Sequence, residues 1–268
     1  MSNTRKGKPS APLVFIWDLD DTLIWTSWAY SRAFGKFYEY MLSLFDYRLI
    51  ELRTLGTISE EIDKGLIKEI NPNTQKPYGY SMERFPESLV RTYKWLCDKE
   101  FGRYQNLVER RARIIGMEAF DPLGYKQQGL VKGAKATLDF LKKQGDVLIL
   151  LTKGERLVQE CKIVTLELDQ WFGENIHIVD SKTEATFREY RKEFPDSTIY
   201  SIGNSYASDM SPALAAGERG IFIPYYTWLG EEQTVSVDTT RVFQLGHIAQ
   251  LIDIYPKLRK NIEPDQTT

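Results

Sequence analysis

One short stretch constrains this chain more than any other: residues 13–17 form the apolar run Leu-Val-Phe-Ile-Trp, preceded by Pro12 and ended by Asp18-Leu19-Asp20-Asp21. A run of five rich in Val, Ile and aromatics, cut off by acidic residues, reads as a buried strand. Such a strand needs neighbours to pair its backbone N–H and C=O groups. The next hundred residues offer none. Helical spacing of apolar residues dominates 27–45, 59–70, 82–99 and 103–116, as in Leu89, Val90, Tyr93, Leu96 and Cys97, with a loop expected at 71–80.

The partners lie beyond Pro122, where helices and strands alternate. Helices are expected over 134–144, closed by Gly145, then over 155–166, 183–193 and 211–216, the last closed by Gly217. Strands are expected at 147–151, 176–179, 198–202 and 221–223. Alternation of this kind gives parallel strands with helices on both faces. The first strand joins that sheet, and the chain reads as a Rossmann-like α/β core, residues 1–24 and 122–268, carrying an all-helical cap over 25–121.

Composition narrows the function classes. Of 268 residues, 42% are hydrophobic and 13% aromatic, ample for a packed core. Lys and Arg total 35 against 37 Asp and Glu, so the net charge of −2 carries no footprint of nucleic-acid binding. No apolar run reaches the roughly 18 residues of a membrane span. Cys97 and Cys161 sit in helical patterns and form no CxxC. A soluble, cytoplasmic protein is expected, with neither nucleic acid nor membrane as partner. The tail over 263–268 is expected to be frayed.

In an open α/β sheet, ligands bind at the carboxyl ends of the strands, where the loops open and helix N-termini point outward. The polar residues at those ends are Asp18 and Asp20 after the first strand, and Thr152 and Lys153 after the second. Lys182 follows the third, and Asn204, Ser205 and Asp209 follow the fourth. Carboxylates, a hydroxyl and an ammonium together suit a metal and a phosphate.

The stretch Asp18-Leu19-Asp20-Asp21-Thr22 after a hydrophobic strand resembles the DxDxT motif of the haloacid dehalogenase superfamily. The apolar strand ending in Thr152 is similar to the second motif of that superfamily. Lys182 falls where the third-motif lysine is expected, and Gly203-Asn204-Ser205-Tyr206-Ala207-Ser208-Asp209 resembles the fourth. The resemblance implies a HAD-like fold and a magnesium-dependent phosphatase acting on a small phosphorylated substrate. Asp18 would be the nucleophile that forms an aspartyl-phosphate. Asp20 would be general acid and base, and Thr152 and Lys182 would stabilise the phosphoryl group, with Lys153 a further candidate for substrate contact. Mg2+ would be held by Asp18, the backbone carbonyl of Asp20, Asn204 and Asp209. Asn204 stands where many members carry Asp, and brings an oxygen without a charge. Alternatives are a haloacid dehalogenase-type hydrolase, a phosphomutase, an Eyes absent-like protein-tyrosine phosphatase, and a binding protein without turnover. The acid at position 20 favours phosphoryl transfer over dehalogenation.

Plainer readings stand beside these. Ser181-Lys182-Thr183-Glu184 fits a helix capping box, and Thr152 fits a strand-end hydroxyl. Lys153, Arg110, Arg111 and Arg113 fit solvated positions, and His177 and His247 read as structural. Trp25, Ser27 and Trp28 either face the site or pack. Tyr225, Tyr226 and Trp228 form an aromatic cluster near the same edge, with packing and pocket-lining roles both open.

Overall fold

The computed structural model describes residues 11–45, 50–225 and 238–260. Strand β1 (Val14–Trp17) leads through the acidic turn into helix α1 (Thr26–Phe45). Helix α2 (Leu52–Leu66), the two-residue strands β2 (Ile70–Asn71) and β3 (Lys76–Pro77), and helices α3 (Arg84–Asp98) and α4 (Asn106–Met117) follow. The chain then runs α5 (Pro122–Gln128), α6 (Ala134–Lys143), β4 (Val147–Lys153), α7 (Arg156–Thr165), α8 (Asp169–Phe172), β5 (Ile176–Val179) and α9 (Glu184–Glu193). It closes with β6 (Ile199–Gly203), α10 (Ser211–Ala215), β7 (Arg219–Phe222), β8 (Val242–Gln244) and α11 (Gln250–Arg259). Among the described residues no helix is long and apolar enough to cross a membrane.

Six strands form one parallel sheet in the order β5-β4-β1-β6-β7-β8. The apolar run met first in the sequence is the centre of that sheet: Phe15 faces Leu148 on one side and Tyr200 on the other. Its alternate side chains feed opposite layers, because successive residues of a strand point to opposite faces. Phe15 and Trp17 enter one hydrophobic cluster with Leu138, Trp171 and Leu251, while Val14 and Ile16 enter another with Phe187 and Ala213. From β1 the chain fills one edge through β4 and β5, then crosses to the other through β6, β7 and β8. That reversal at the carboxyl ends of β1, β4 and β6 opens the crevice in which this architecture binds ligands.

The helical block has its own core. Phe37, Met41, Leu55, Phe85, Leu89, Tyr93 and Ala112 form a cluster separate from those of the sheet. Gly116 is required there, since a Cβ would lie 2.6 Å from the Cα of Pro86 where α4 crosses α3.

Four expectations need correction. The second helix lies at Leu52–Leu66, not 59–70, because its buried stripe of Leu55, Ser59, Asp63 and Leu66 begins a turn earlier. The expected loop contains a hairpin, so the cap is not purely helical: Pro72 interrupts the chain, and Asn71 Oδ1 accepts from Asn73 N at 2.9 Å to close the turn. The cap of α9 is Thr183 paired with Thr186, leaving Lys182 outside the helix; the extended backbone of Thr183 places its hydroxyl on the N–H of Thr186. Strand β8 and helices α5, α8 and α11 were not foreseen. The tail over 263–268, together with Tyr226 and Trp228, lies outside the described residues.

Candidate active site

The turn after β1 is built by its own residues. Leu19 O accepts from Leu23 N at 2.9 Å and from Ile24 N at 3.1 Å, folding 19–24 back on itself. Asp21 takes a left-handed φ of 55° and receives Ser27 N at 2.8 Å and Ser27 Oγ at 2.6 Å, which ties the turn to the start of α1. Burial raises the Asp21 carboxyl to about 6. Asp21 thus serves the turn, through its two bonds to Ser27.

Asp18 is buried at the end of β1. Its Oδ1 receives the ammonium of Lys182 at 2.5 Å, and the same ammonium reaches Asp209 Oδ1 at 2.6 Å. Lys182 therefore clamps residues from three strand ends behind the nucleophile position. Burial pushes the Asp18 carboxyl up to about 7; Lys182 pulls it down, and the neighbouring carboxylates Asp209 and Asp20 add to the rise. One ammonium does not balance that cluster. Asp209 is carried by a π-helical turn (Tyr206–Met210) whose Ser205 side chain accepts from Ser208 N at 3.2 Å. It packs on Gly203, where a Cβ would fall 2.1 Å from Asp209 Oδ2. Only glycine permits that approach.

Asn204 and Asp18 converge on one hydroxyl: Thr22 Oγ1 lies 3.3 Å from Asp18 Oδ2 and 3.4 Å from Asn204 Oδ1. A hydroxyl has one proton for these two oxygens. The pair retains lone pairs for a hard cation, and an all-oxygen set of carboxylates, amide and backbone carbonyl suits magnesium. Among the described residues no three carboxylate, histidine or cysteine side chains cluster as metal ligands. The set here therefore relies on the Asn204 amide and on backbone or water oxygens.

Asp20 differs from its expected role in one respect. Its Oδ1 receives Lys162 Nζ at 2.6 Å and a short bond from Thr26 Oγ1, and its Oδ2 receives Gln159 Nε2 at 2.7 Å. Burial alone would raise its carboxyl; the charge and hydrogen bond of Lys162, with Thr26 and Gln159, outweigh it and hold Asp20 below the usual carboxylate range. The side chain is held as an anion, the state of a base.

Thr152 is fully buried, accepts from Gln159 Nε2 at 3.2 Å, and does not line the cavity. Lys153 does line it, donating to Ser208 Oγ at 2.6 Å. The cavity, about 130 Å³, is bounded on the core side by Asp18, Asp20, Asn204 and Asp209 and on the cap side by Tyr30, Tyr80, Arg84 and Phe120. Arg113 is solvent-facing, as expected, with its side chain 44% exposed while it pairs with Glu87 at 2.7 Å, and Trp25 packs on Tyr225 with ring centroids 4.2 Å apart. Ser27 and Tyr30 face the cavity, but Trp28 is stacked under Arg32 at the surface. Gln159 and Lys162 were missed. Their spacing of three on the helix following β4 was the available signal, since it puts both on one face at the strand's carboxyl end. Arg84 had no local signal; it is 3% exposed and reaches the cavity only through the packing of α3 within the helical block.

No protein-family model matches the sequence, and no curated protein matches it significantly. Solved structures match it along nearly their whole length. A haloacid dehalogenase-like family hydrolase from Xanthomonas campestris is 23% identical, with 94% of this chain and 98% of that one covered and a TM-score of 0.66. A 2-haloacid dehalogenase from Pseudomonas syringae is 16% identical over 92% and 100% of the two chains, TM-score 0.53. A protein described as a predicted phosphoglycolate phosphatase from Haemophilus somnus is 15% identical over 90% and 97%, TM-score 0.52. With a six-stranded parallel sheet and four superfamily-like segments at its strand ends, the chain has the fold of the haloacid dehalogenase-like hydrolases.

Proposed function

We propose that the protein is a magnesium-dependent phosphatase that hydrolyses a small phosphorylated metabolite through an aspartyl-phosphate on Asp18. The observation that carries this reading is the pair of carboxylates two residues apart, with opposite electrostatic surroundings. Asp18 is backed by Lys182 at 2.5 Å, and Asp20 is held as an anion by Lys162 at 2.6 Å. An Asp18 oxygen attacks phosphorus, the phosphorus–oxygen bond to the leaving group breaks as the protonated fraction of Asp20 gives its proton to the departing oxygen, and Lys182 offsets the negative charge of Asp18 and of the incoming phosphoryl oxygens. Asp20 then takes a proton from the water that hydrolyses the acyl phosphate, returning Asp18 as a carboxylate. Magnesium, held by Asp18, Asn204, Asp209 and the Asp20 carbonyl, would supply charge neutralisation for the phosphate dianion. A cavity of about 130 Å³, below the ~300–1,000 Å³ of pockets for drug-sized ligands, suits a small ester.

A second reading has its own support. An Asp20 anion committed to Lys162 and an uncharged Asn204 fit a haloacid dehalogenase-type reaction, whose departing halide needs no proton. Phosphate release from p-nitrophenyl phosphate and a panel of metabolite phosphates, run beside halide release from 2-haloacids, separates the two. Magnesium-dependent phosphate release that is abolished by Asp18→Asn supports the phosphatase. Halide release alone overturns it.

A further inference from the structure

The cavity that Asp18 borders also holds two cations brought together by one aromatic ring. Arg84 Cζ lies 5.3 Å from the centroid of Tyr80, and Lys153 Nζ lies 5.1 Å from the same centroid. Arg84 comes from the helical block and Lys153 from the end of β4, so Tyr80 joins a cap cation to a core cation across the cavity mouth. Like charges do not gather on one ring without reason; each is attracted to its face, and an anion between them would complete the arrangement.

Both cations have donor capacity to spare. Arg84 gives Nε to Asp63 at 3.0 Å and Nη1 to Gly79 O at 2.6 Å, and among the described residues its Nη2 has no partner. Lys153 donates to Ser208 Oγ and has no carboxylate partner among the described residues. The hydroxyl of Tyr30, wedged between Phe85 and Phe120, is also without a hydrogen-bond partner there and borders the same cavity. A buried arginine that lines the cavity and is held by two bonds, with a third nitrogen uncommitted, is a preorganised donor rather than a solvated charge.

We propose that Arg84, Lys153 and Tyr30 form a second subsite that binds a carboxylate on the non-reacting end of the substrate. This rests on the reading of Asp18 as the centre that receives the phosphoryl group. The charge around that subsite penalises one negative charge less than two. Asp63 already neutralises Arg84 at 3.0 Å, and Glu155 lies on the same rim, its Oε2 accepting from Met82 N at 2.7 Å. With Asp63 and Glu155 set against Arg84 and Lys153, a second phosphate dianion would add twice the surplus charge of a carboxylate, while the uncommitted donors suit either anion.

Calorimetric titration of the Asp18→Asn protein in magnesium buffer tests this with three ligands that share a phosphate monoester: carboxymethyl phosphate, ethyl phosphate and a short alkane bisphosphate. The expected result is about tenfold to hundredfold tighter binding of the carboxylate compound than of ethyl phosphate, the worth of hydrogen bonds to a charged group. That ratio should fall to near one when Lys153→Met is added, and be partly kept in Arg84→Lys, which preserves the charge beside Asp63. Tyr30→Phe should reduce it by a smaller factor. Equal binding of carboxymethyl and ethyl phosphates, or a preference for the bisphosphate, overturns the subsite while leaving the phosphatase reading intact. Binding of none of the three to Asp18→Asn, together with phosphate release from none of them by the wild type, overturns both. A carboxylate preference in a wild-type protein that releases no phosphate from any of them overturns the phosphatase reading alone.

Discussion

The Asp18→Asn substitution should make the metal-free protein less sensitive to pH, by an amount set by the site's electrostatics. Asp18 is 8% exposed and its carboxyl is raised from 3.8 to about 7, chiefly by burial. A group whose folded pKa is raised contributes stability that is fully present below its unfolded pKa and is lost as pH rises toward the folded value. For Asp18 that window runs from about pH 4 to pH 7. Each unit of difference is worth about 1.4 kcal/mol, so between pH 5 and pH 8 the wild type should lose roughly 2–3 kcal/mol through this one residue. Asparagine keeps the shape and an oxygen for Lys182, and does not titrate. Titrating groups that do not feel the Asp18 charge, Asp21 among them, are shared by both proteins and cancel in the difference. Urea unfolding of both proteins in chelator, at pH 5 and pH 8, gives the two stability changes directly. The loss of stability should be larger in the wild type than in Asp18→Asn by about 2 kcal/mol or more, and magnesium at pH 8 should restore the wild type by more than it stabilises Asp18→Asn. Changes that agree within about 0.5 kcal/mol would refute the argument that Asp18 carries uncompensated charge in the metal-free site.

Three other outcomes follow from the geometry. Gly203→Ala places a methyl group on Asp209, 2.1 Å from Oδ2, so phosphate release should fall by at least tenfold while circular dichroism stays native, with overpacking costing about 1–3 kcal/mol in urea. Arg84→Met leaves Asp63, which is fully buried, without its arginine at 3.0 Å; urea unfolding should show a loss of about 3–5 kcal/mol, and a loss below 1 kcal/mol would mean that the pair is not buried in solution. Because Lys162 holds Asp20 below the usual carboxylate range, its protonated fraction shrinks as pH rises. The ratio of kcat/KM for p-nitrophenyl phosphate to that for an alkyl phosphate should therefore climb between pH 5 and pH 8, and Lys162→Met should flatten that climb.

The sequence by itself determined the sheet and the floor of the site. The run ending at Trp17 has the composition of a doubly buried strand, and the helix-strand alternation after Pro122 assigns its partners, because burial on two faces and the right-handed crossover leave few arrangements. Asp18, Lys182, Asn204 and Asp209 follow from that, since each sits where a parallel strand ends and strand ends of one sheet share an edge. Tertiary structure decided what surrounds them. Lys162 and Gln159 meet Asp20 because α7 packs against the sheet at one particular rotation, and this changes Asp20 from a free acid into a held anion. Thr152 left the cavity for the same reason, as Gln159 covers it. Arg84 and Tyr80, more than sixty residues from either neighbouring core strand, reach Lys153 only through the docking of the cap. Periodicity records which face of an element is buried, but the partner across an interface depends on how two elements pack, and no local pattern in either one encodes that.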